Sequence, residues 1–143
     1  MEDHAVVTIT REQFVAEARD WLGTPYQHQG RLKGTACDCI GLVIGVSRAV
    51  GLDVPDAPDY GRRPDGRLRG ALEAHLIRVP LSDAQGGDVL LFAWHATPIH
   101  VAILTDADHF IHGYLPNRRV VESRLDEKTR RHVVAAYRIP GVV

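Results

Sequence analysis

Asp38-Cys39-Ile40-Gly41-Leu42-Val43-Ile44-Gly45-Val46-Ser47-Arg48-Ala49-Val50-Gly51 reads as one complete helix with its own start and stop signals. Asp38 carries the short carboxylate favoured at an N-cap, and Gly51 suits the left-handed position just past a helix end. Ile40, Leu42, Val43, Ile44 and Val46 are apolar nearly all round, which predicts a centrally buried helix over Cys39 to Val50. Cys39 falls in its first turn, where unpaired amides and the helix dipole favour an anion. A thiolate would be stabilised there.

Upstream, Thr10-Arg11-Glu12-Gln13 has the form of a capping box and predicts a helix starting at Arg11. Phe14, Val15, Ala18, Trp21 and Leu22 give it one apolar stripe, and Gly23 ends it. Pro25, Gly30 and Gly34 make Thr24 to Thr35 a loop that leads into the cysteines. Downstream, Pro55, Pro58, Gly61, Pro64 and Gly66 mark a second long loop, and Arg67 to Ile77 reads as a further helix. From Gly87 onward short apolar segments alternate with turn signals. Five strands are expected: Asp88–Trp94, Ile99–Thr105, His109–Tyr114, Arg119–Ser123 and Val133–Ile139, with a helical turn near Leu125–Arg130. Helices first and an antiparallel meander second is an α+β arrangement, and no linker or repeat divides residues 1–143 into more than one domain.

Composition narrows the function classes. At 143 residues, 45% hydrophobic and 24% charged, the chain has the balance of a globular protein. A domain of this size buries roughly 68–70% of its extended-chain surface, enough to fold without disulfides or a structural metal. Lys and Arg number 17 against 18 Asp and Glu, so nothing favours a nucleic-acid partner. The longest apolar run, Val89 to Trp94, has six residues, far below the roughly 18 needed for a membrane span. Met1-Glu2-Asp3-His4 is acidic, with no apolar region following. The expectation is a chain without a secretory signal, made in the cytoplasm and carried out by some other route. Cys37 and Cys39, one residue apart, make a poor disulfide pair, so at least one thiol is expected to be free.

A thiol nucleophile needs a base, and the base needs a third group to orient it. His100 and His112 stand in adjacent expected strands, each flanked by apolar residues. With a three-residue loop Thr105-Asp106-Ala107, Leu104 pairs with Asp108 and His100 lies opposite His112, both imidazoles on one face. A strict two-residue loop puts them on opposite faces unless a bulge intervenes. The odd loop is the expectation. His95 reads as a solvated loop residue, and His28 either lines a groove or sits on the surface. Arg62, Arg63, Arg67 and Arg69 read as a solvated face, with carboxylates or an anionic polymer as the alternative partner.

Leu22-Gly23-Thr24-Pro25-Tyr26, Asp38-Cys39-Ile40-Gly41-Leu42-Val43, Gly87-Asp88-Val89, His100-Val101-Ala102-Ile103 and Phe110-Ile111-His112-Gly113 together resemble the NlpC-type cell-wall endopeptidase family, across roughly Phe14 to Pro140. The resemblance implies a papain-like α+β fold with the nucleophile opening a helix packed on an antiparallel sheet. It makes Cys39 the nucleophile, His100 the general base and later acid, and His112 the orienting third member. Tyr26 then matches a tyrosine near the oxyanion site, and Asp38 an acidic residue placed to meet a substrate amine. The implied reaction is amide hydrolysis in peptidoglycan stem peptides, commonly beside D-glutamate and a diamino acid, through a thioester and without a cofactor or metal. Where the common pattern has serine after the cysteine and Trp-Gly-Gly after the Pro-Tyr, this chain has Ile40 and Gln27-His28-Gln29-Gly30. Asp-Cys-Ile-Gly resembles the phage-type branch, which implies phage-tail or gene transfer particle proteins as partners. Two other classes stay open: a metal-binding module built from Cys37, Cys39, His100 and His112, and an inactive tail-assembly or wall-binding protein with the same fold.

Overall fold

The computed structural model describes residues 7–56, 66–94 and 100–143. The readings made for the first residues, for Arg62 and Arg63, and for His95 lie outside them. The Thr10 box forms as expected. Thr10 Oγ1 accepts from the Gln13 amide at 3.1 Å, Gln13 Oε1 accepts from the Thr10 amide at 3.0 Å, and helix α1 follows over Arg11–Asp20. Thr10→Ala is expected to cost about 1 kcal/mol in urea denaturation, with no change in m-value. Phe14, Val15, Ala18 and Trp21 are buried, whereas Leu22, expected in the same stripe, lies past the helix end and is 42% exposed.

Asp38 caps α2 (Cys39–Ala49) by accepting from the Gly41 amide at 2.7 Å, and this helix supplies the middle of the core. Before it, β1 (Arg31–Leu32) and β2 (Ala36–Cys37) form a short antiparallel ribbon, β1 within the expected loop Thr24 to Thr35 and β2 just past its end. α3 (Arg67–His75) ends two residues earlier than expected, because Ile77 starts strand β3 (Ile77–Val79). Strands β4 (Val89–Phe92), β5 (His100–Asp106), β6 (His109–Tyr114), β7 (Arg119–Arg124) and β8 (Val133–Arg138) follow, with a single-turn helix α4 (Glu127–Arg130) before the last. Together they make an antiparallel sheet of six strands in the order β3-β8-β4-β5-β6-β7. The α+β expectation holds, with one more edge strand than the five expected.

The sheet has two covered faces. Val89, Leu91, Val101, Ile103, Ile111 and Tyr137 join Phe14, Trp21, Leu42 and Val46 in the main core under α1 and α2. Leu90, Phe92, Ala102, Leu104 and Phe110 form a smaller cluster on the reverse, closed by Val79 and Leu125. At the mouth of β4, Asp88 is fully buried, and its Oδ1 accepts from Arg11 Nη1 at 2.9 Å. The Gly87-Asp88-Val89 motif therefore anchors the start of α1 to the sheet.

The β5–β6 turn differs from expectation. Ile103 lies opposite Ile111, Leu104 opposite Phe110 and Asp106 opposite His109, so the tip is the two-residue turn Ala107-Asp108 with Thr105 bulged out. The odd loop is corrected to an even loop plus a bulge. Because the bulge adds one residue to one strand, parity is restored, and His100 and His112 still share a face. They are displaced along it rather than directly paired, and the face is the reverse of the sheet, shared with Phe92, Leu104 and Phe110.

Candidate active site

Cys39 lies against β5, one residue along from His100, where β5 and β6 part. Pairing between these strands runs from Asp106/His109 to Ile103/Ile111 and no farther, and the next amide of β5 toward the mouth, that of Val101, reaches the Cys39 sulfur. The helix N-terminus enters here because Gly113 has no side chain. A Cβ on Gly113 would stand 2.9 Å from the Asp38 carbonyl carbon and oxygen and 3.2 Å from the Cys39 nitrogen. The thiol thus sits beside the residue that follows His100, in contact with the backbone amides of Ile40 and Cys39 itself.

The imidazoles are joined to each other. His100 Nε2 and His112 Nδ1 are 2.8 Å apart, with the rings edge-on at 71°. On the far side, His112 Nε2 is 3.0 Å from Ser123 Oγ on β7. Aromatic rings enclose the pair: Phe92 and Trp94 beside His100, Phe110 and Tyr114 on either side of His112, the last stacked at 4.6 Å. Both histidines are buried.

Asp38 closes the opposite wall. Its side chain is 3% exposed and accepts from the amides of Gly41 and Gln29, each at 2.7 Å, and from Arg31 Nη1 at 3.3 Å. Its charge is matched within the protein by Arg31, which also binds Asp56 through Nε at 3.0 Å. The turn 27–30 fits against α2 because Gly41 is bare; a Cβ there would overlap the Gly30 carbonyl oxygen. Tyr26 is half-buried, its backbone bridged to Cys37 and its amide donating to the Arg118 carbonyl at 2.8 Å. His28 is half-buried in the same turn. Arg69 ion-pairs with Glu73 along α3, at 3.8 Å.

His100 and His112 are thus joined, and the Cys39 sulfur lies at the amide of Val101, the residue after His100, with Asp38 supporting the helix start and Tyr26 one backbone bridge from the cysteine segment. Sequence reasoning missed Ser123 and the aromatic surround. The expected strand Arg119–Ser123 already contained the serine, and strand parity places it with His112, since Val121 is opposite His112 and Ser123 opposite Phe110. Among the described residues no three of His, Cys, Asp and Glu converge as metal ligands, so the geometry does not support the metal-module alternative.

The profile of the NlpC/P60 family matches residues 23–138. The chain belongs to the NlpC/P60 family. Among solved structures it is similar to the NlpC/p60 domain of peptidoglycan hydrolase SagA, at 23% identity over 92% of this chain and 100% of that one, with a TM-score of 0.69. An NlpC/P60 family protein from Bacillus cereus ATCC 10987 gives 22% identity and a TM-score of 0.74 over 94% of this chain. The alignment spans only 42% of that protein, so the present chain corresponds to less than half of it. RipD from Mycobacterium tuberculosis, described as a non-catalytic NlpC/p60 domain protein adapted to peptidoglycan binding, gives 15% identity, 90% and 96% coverage and a TM-score of 0.63. No curated protein matches. These structures share the papain-like NlpC/P60 fold.

In this NlpC/P60 site burial sets the resting charges. Desolvation pushes the Cys39 thiol up to about 12, against the opposing pull of the Val101, Ile40 and Cys39 amides. Burial, and then the neighbouring His112, lower His100 to about 3; burial alone lowers His112 to about 4. At neutral pH the resting site therefore holds a thiol and two neutral imidazoles rather than a preformed ion pair. Cys37 is also pushed up to about 12, chiefly by burial, and it is fully inaccessible where Cys39 is 8% exposed. Both thiols are free. Iodoacetamide on the native protein is expected to modify Cys39 before Cys37, and both slowly below pH 9. Peptide mass mapping that found Cys37 modified first would contradict the geometry.

Proposed function

We propose that this chain is a cysteine peptidase that hydrolyses amide bonds in peptidoglycan stem peptides, with Cys39 as nucleophile, His100 as general base and acid, and His112 as orienter. The observation that carries this reading is the 2.8 Å link from His100 Nε2 to His112 Nδ1 beside a cysteine that opens a buried helix. With Nε2 engaged, Nδ1 is the nitrogen left to take the thiol proton.

As the sulfur attacks the scissile carbonyl carbon, its proton passes to His100 Nδ1. The C–S bond forms and the carbonyl oxygen becomes an oxyanion. The Cys39 amide and the Tyr26 hydroxyl are assigned to that oxyanion. Collapse breaks the C–N bond, and His100 returns the proton to the leaving amine, leaving a thioester. Water then attacks with His100 again as base, releasing the acid and restoring the thiol. A thiol near 12 holds on the order of one thiolate in 10⁵ at pH 7, so proton transfer is coupled to attack rather than preceding it. Membership of the NlpC/P60 family supports the substrate class.

The assigned bond is that between D-glutamate and a diamino acid. Asp38 enters as the residue that holds the groove wall and, where a substrate amine competes with Arg31, as its acceptor. The Asp38-Cys39-Ile40-Gly41 sequence supports delivery by a phage-tail or gene transfer particle, whose proteins would be its partners. Mass spectrometry of sacculi digested with the purified protein, beside a Cys39→Ala control, tests the reading. New free amino and carboxyl ends at one stem-peptide bond, absent in the control, are the expected result. Sacculus binding with no new ends would replace it with the wall-binding reading.

A further inference from the structure

We propose that Ser123 is a positioning residue that fixes the proton on His112 Nε2 and so keeps His100 in the tautomer able to accept the thiol proton. The inference deepens the peptidase reading and rests on it. His100 can act as a base at Nδ1 only while its own proton sits on Nε2. That proton is then donated to His112 Nδ1 at 2.8 Å, which must be the bare nitrogen of its ring. The remaining proton of His112 lies on Nε2, and Ser123 Oγ at 3.0 Å is its acceptor. The same direction serves the charged step. When His100 carries both protons, His112 Nδ1 must still accept, and Nε2 must still donate.

Other contacts on His112 set its ring but not its proton. Phe110 lies edge-on at 4.6 Å and Tyr114 stacks at 4.6 Å, both apolar surfaces without preference for either tautomer. Ser123 reaches the ring because it lies on the same sheet face, diagonal to it across β6–β7. Its neighbour Glu122 points the opposite way, to Thr105 at 2.8 Å and Arg19 at 3.2 Å, and belongs to a separate network. Without the serine oxygen, Nε2–H loses its acceptor among aromatic rings. The alternative tautomer, a proton on Nδ1 facing His100, then becomes competitive. That tautomer makes His100 Nε2 the acceptor and moves its proton to Nδ1, the wrong side for a base.

Long-range ¹H–¹⁵N spectra of the intact wild type, Ser123→Ala and Ser123→Thr, with steady-state cleavage of muropeptides, test this. The wild type is expected to show His112 protonated on Nε2. Ser123→Ala should show a mixture of tautomers, with kcat lowered about 3- to 10-fold and KM unchanged. Ser123→Thr, which keeps the hydroxyl, should restore both. His112 protonated on Nδ1 in the wild type, or a tautomer unmoved in Ser123→Ala, overturns the assignment. If the wild type cleaves nothing while Ser123→Ala still scrambles the tautomer, the peptidase reading fails and the Ser123–His112 link stands.

Discussion

Cys39→Ala and His100→Ala will each lower kcat for muropeptide cleavage by about ten-thousand-fold or more, with little change in KM. In the proposed reaction the sulfur is the atom that bonds the acyl group, and its loss leaves no nucleophile at the start of α2. Ser47, the hydroxyl carried by the same helix, is buried in α2 with its Oγ donating to the Val43 carbonyl at 2.6 Å. Loss of His100 is as severe because the thiol is held near 12, so without a base at hand almost no thiolate exists. Nucleophile and base act as one unit, and the double variant is expected to be no worse than either single one. His112→Ala loses less, since it leaves both reacting groups in place. Thermal melts of the variants separate loss of chemistry from loss of fold. Retained turnover in purified Cys39→Ala would end the proposed reaction.

Acid will unfold the protein through the same pair of histidines. Their folded-state values lie near 3 and 4, below the ordinary 6.5, because burial resists the charged form. Below pH 6.5 the unfolded chain takes up protons that the folded one refuses, so stability falls as pH falls. Each unit of pH in that window costs up to about 1.4 kcal/mol per histidine. Between pH 6.5 and 4.5 the two together remove up to about 5 kcal/mol, a large share of a typical stability. The loss stops growing only below pH 4 for His112 and pH 3 for His100. Urea midpoints at pH 7.0, 5.5 and 4.5 should show this slope, and His112→Gln should roughly halve it. The buried thiols act oppositely, with stability that is complete below pH 9 and is lost as pH rises toward 12. A flat profile from pH 6.5 to 4.5 would show that the imidazoles are solvated in the folded state.

Much of this was legible in the sequence wherever the signal is local. The Thr10 box and the Asp38 cap depend on residues three apart, and both form at the stated positions. The strands from β4 to β8 are apolar runs between turn signals, and each lies within two residues of its expected bounds at the ends the structure describes. Strand β3 was not legible: three residues long, it exists only because β8 pairs with it from 57 or more positions away, Val79 with Ala136 and Ile77 with Arg138. In the site, Cys39, His100 and His112 could be named from residue type and spacing. Ser123 could not, because serine is common in strands and its partner is set by register. The charge balance of Asp38 was equally hidden, since Arg31 reaches it through a ribbon that reads as loop.

The Thr105 bulge has a consequence some 16 Å of strand away, five residues at about 3.3 Å each. Side-chain direction along β5 and β6 is a matter of odd and even, and one surplus residue in the hairpin tip makes the two imidazoles agree. Trimming that residue, with β6 held in place, would rotate His100 into the layer beneath the helices while leaving every residue of the proposed triad in the gene. Variation in the tip is therefore tolerable only in steps of two, and the most remote corner of the hairpin carries a counting rule for the chemistry at its mouth.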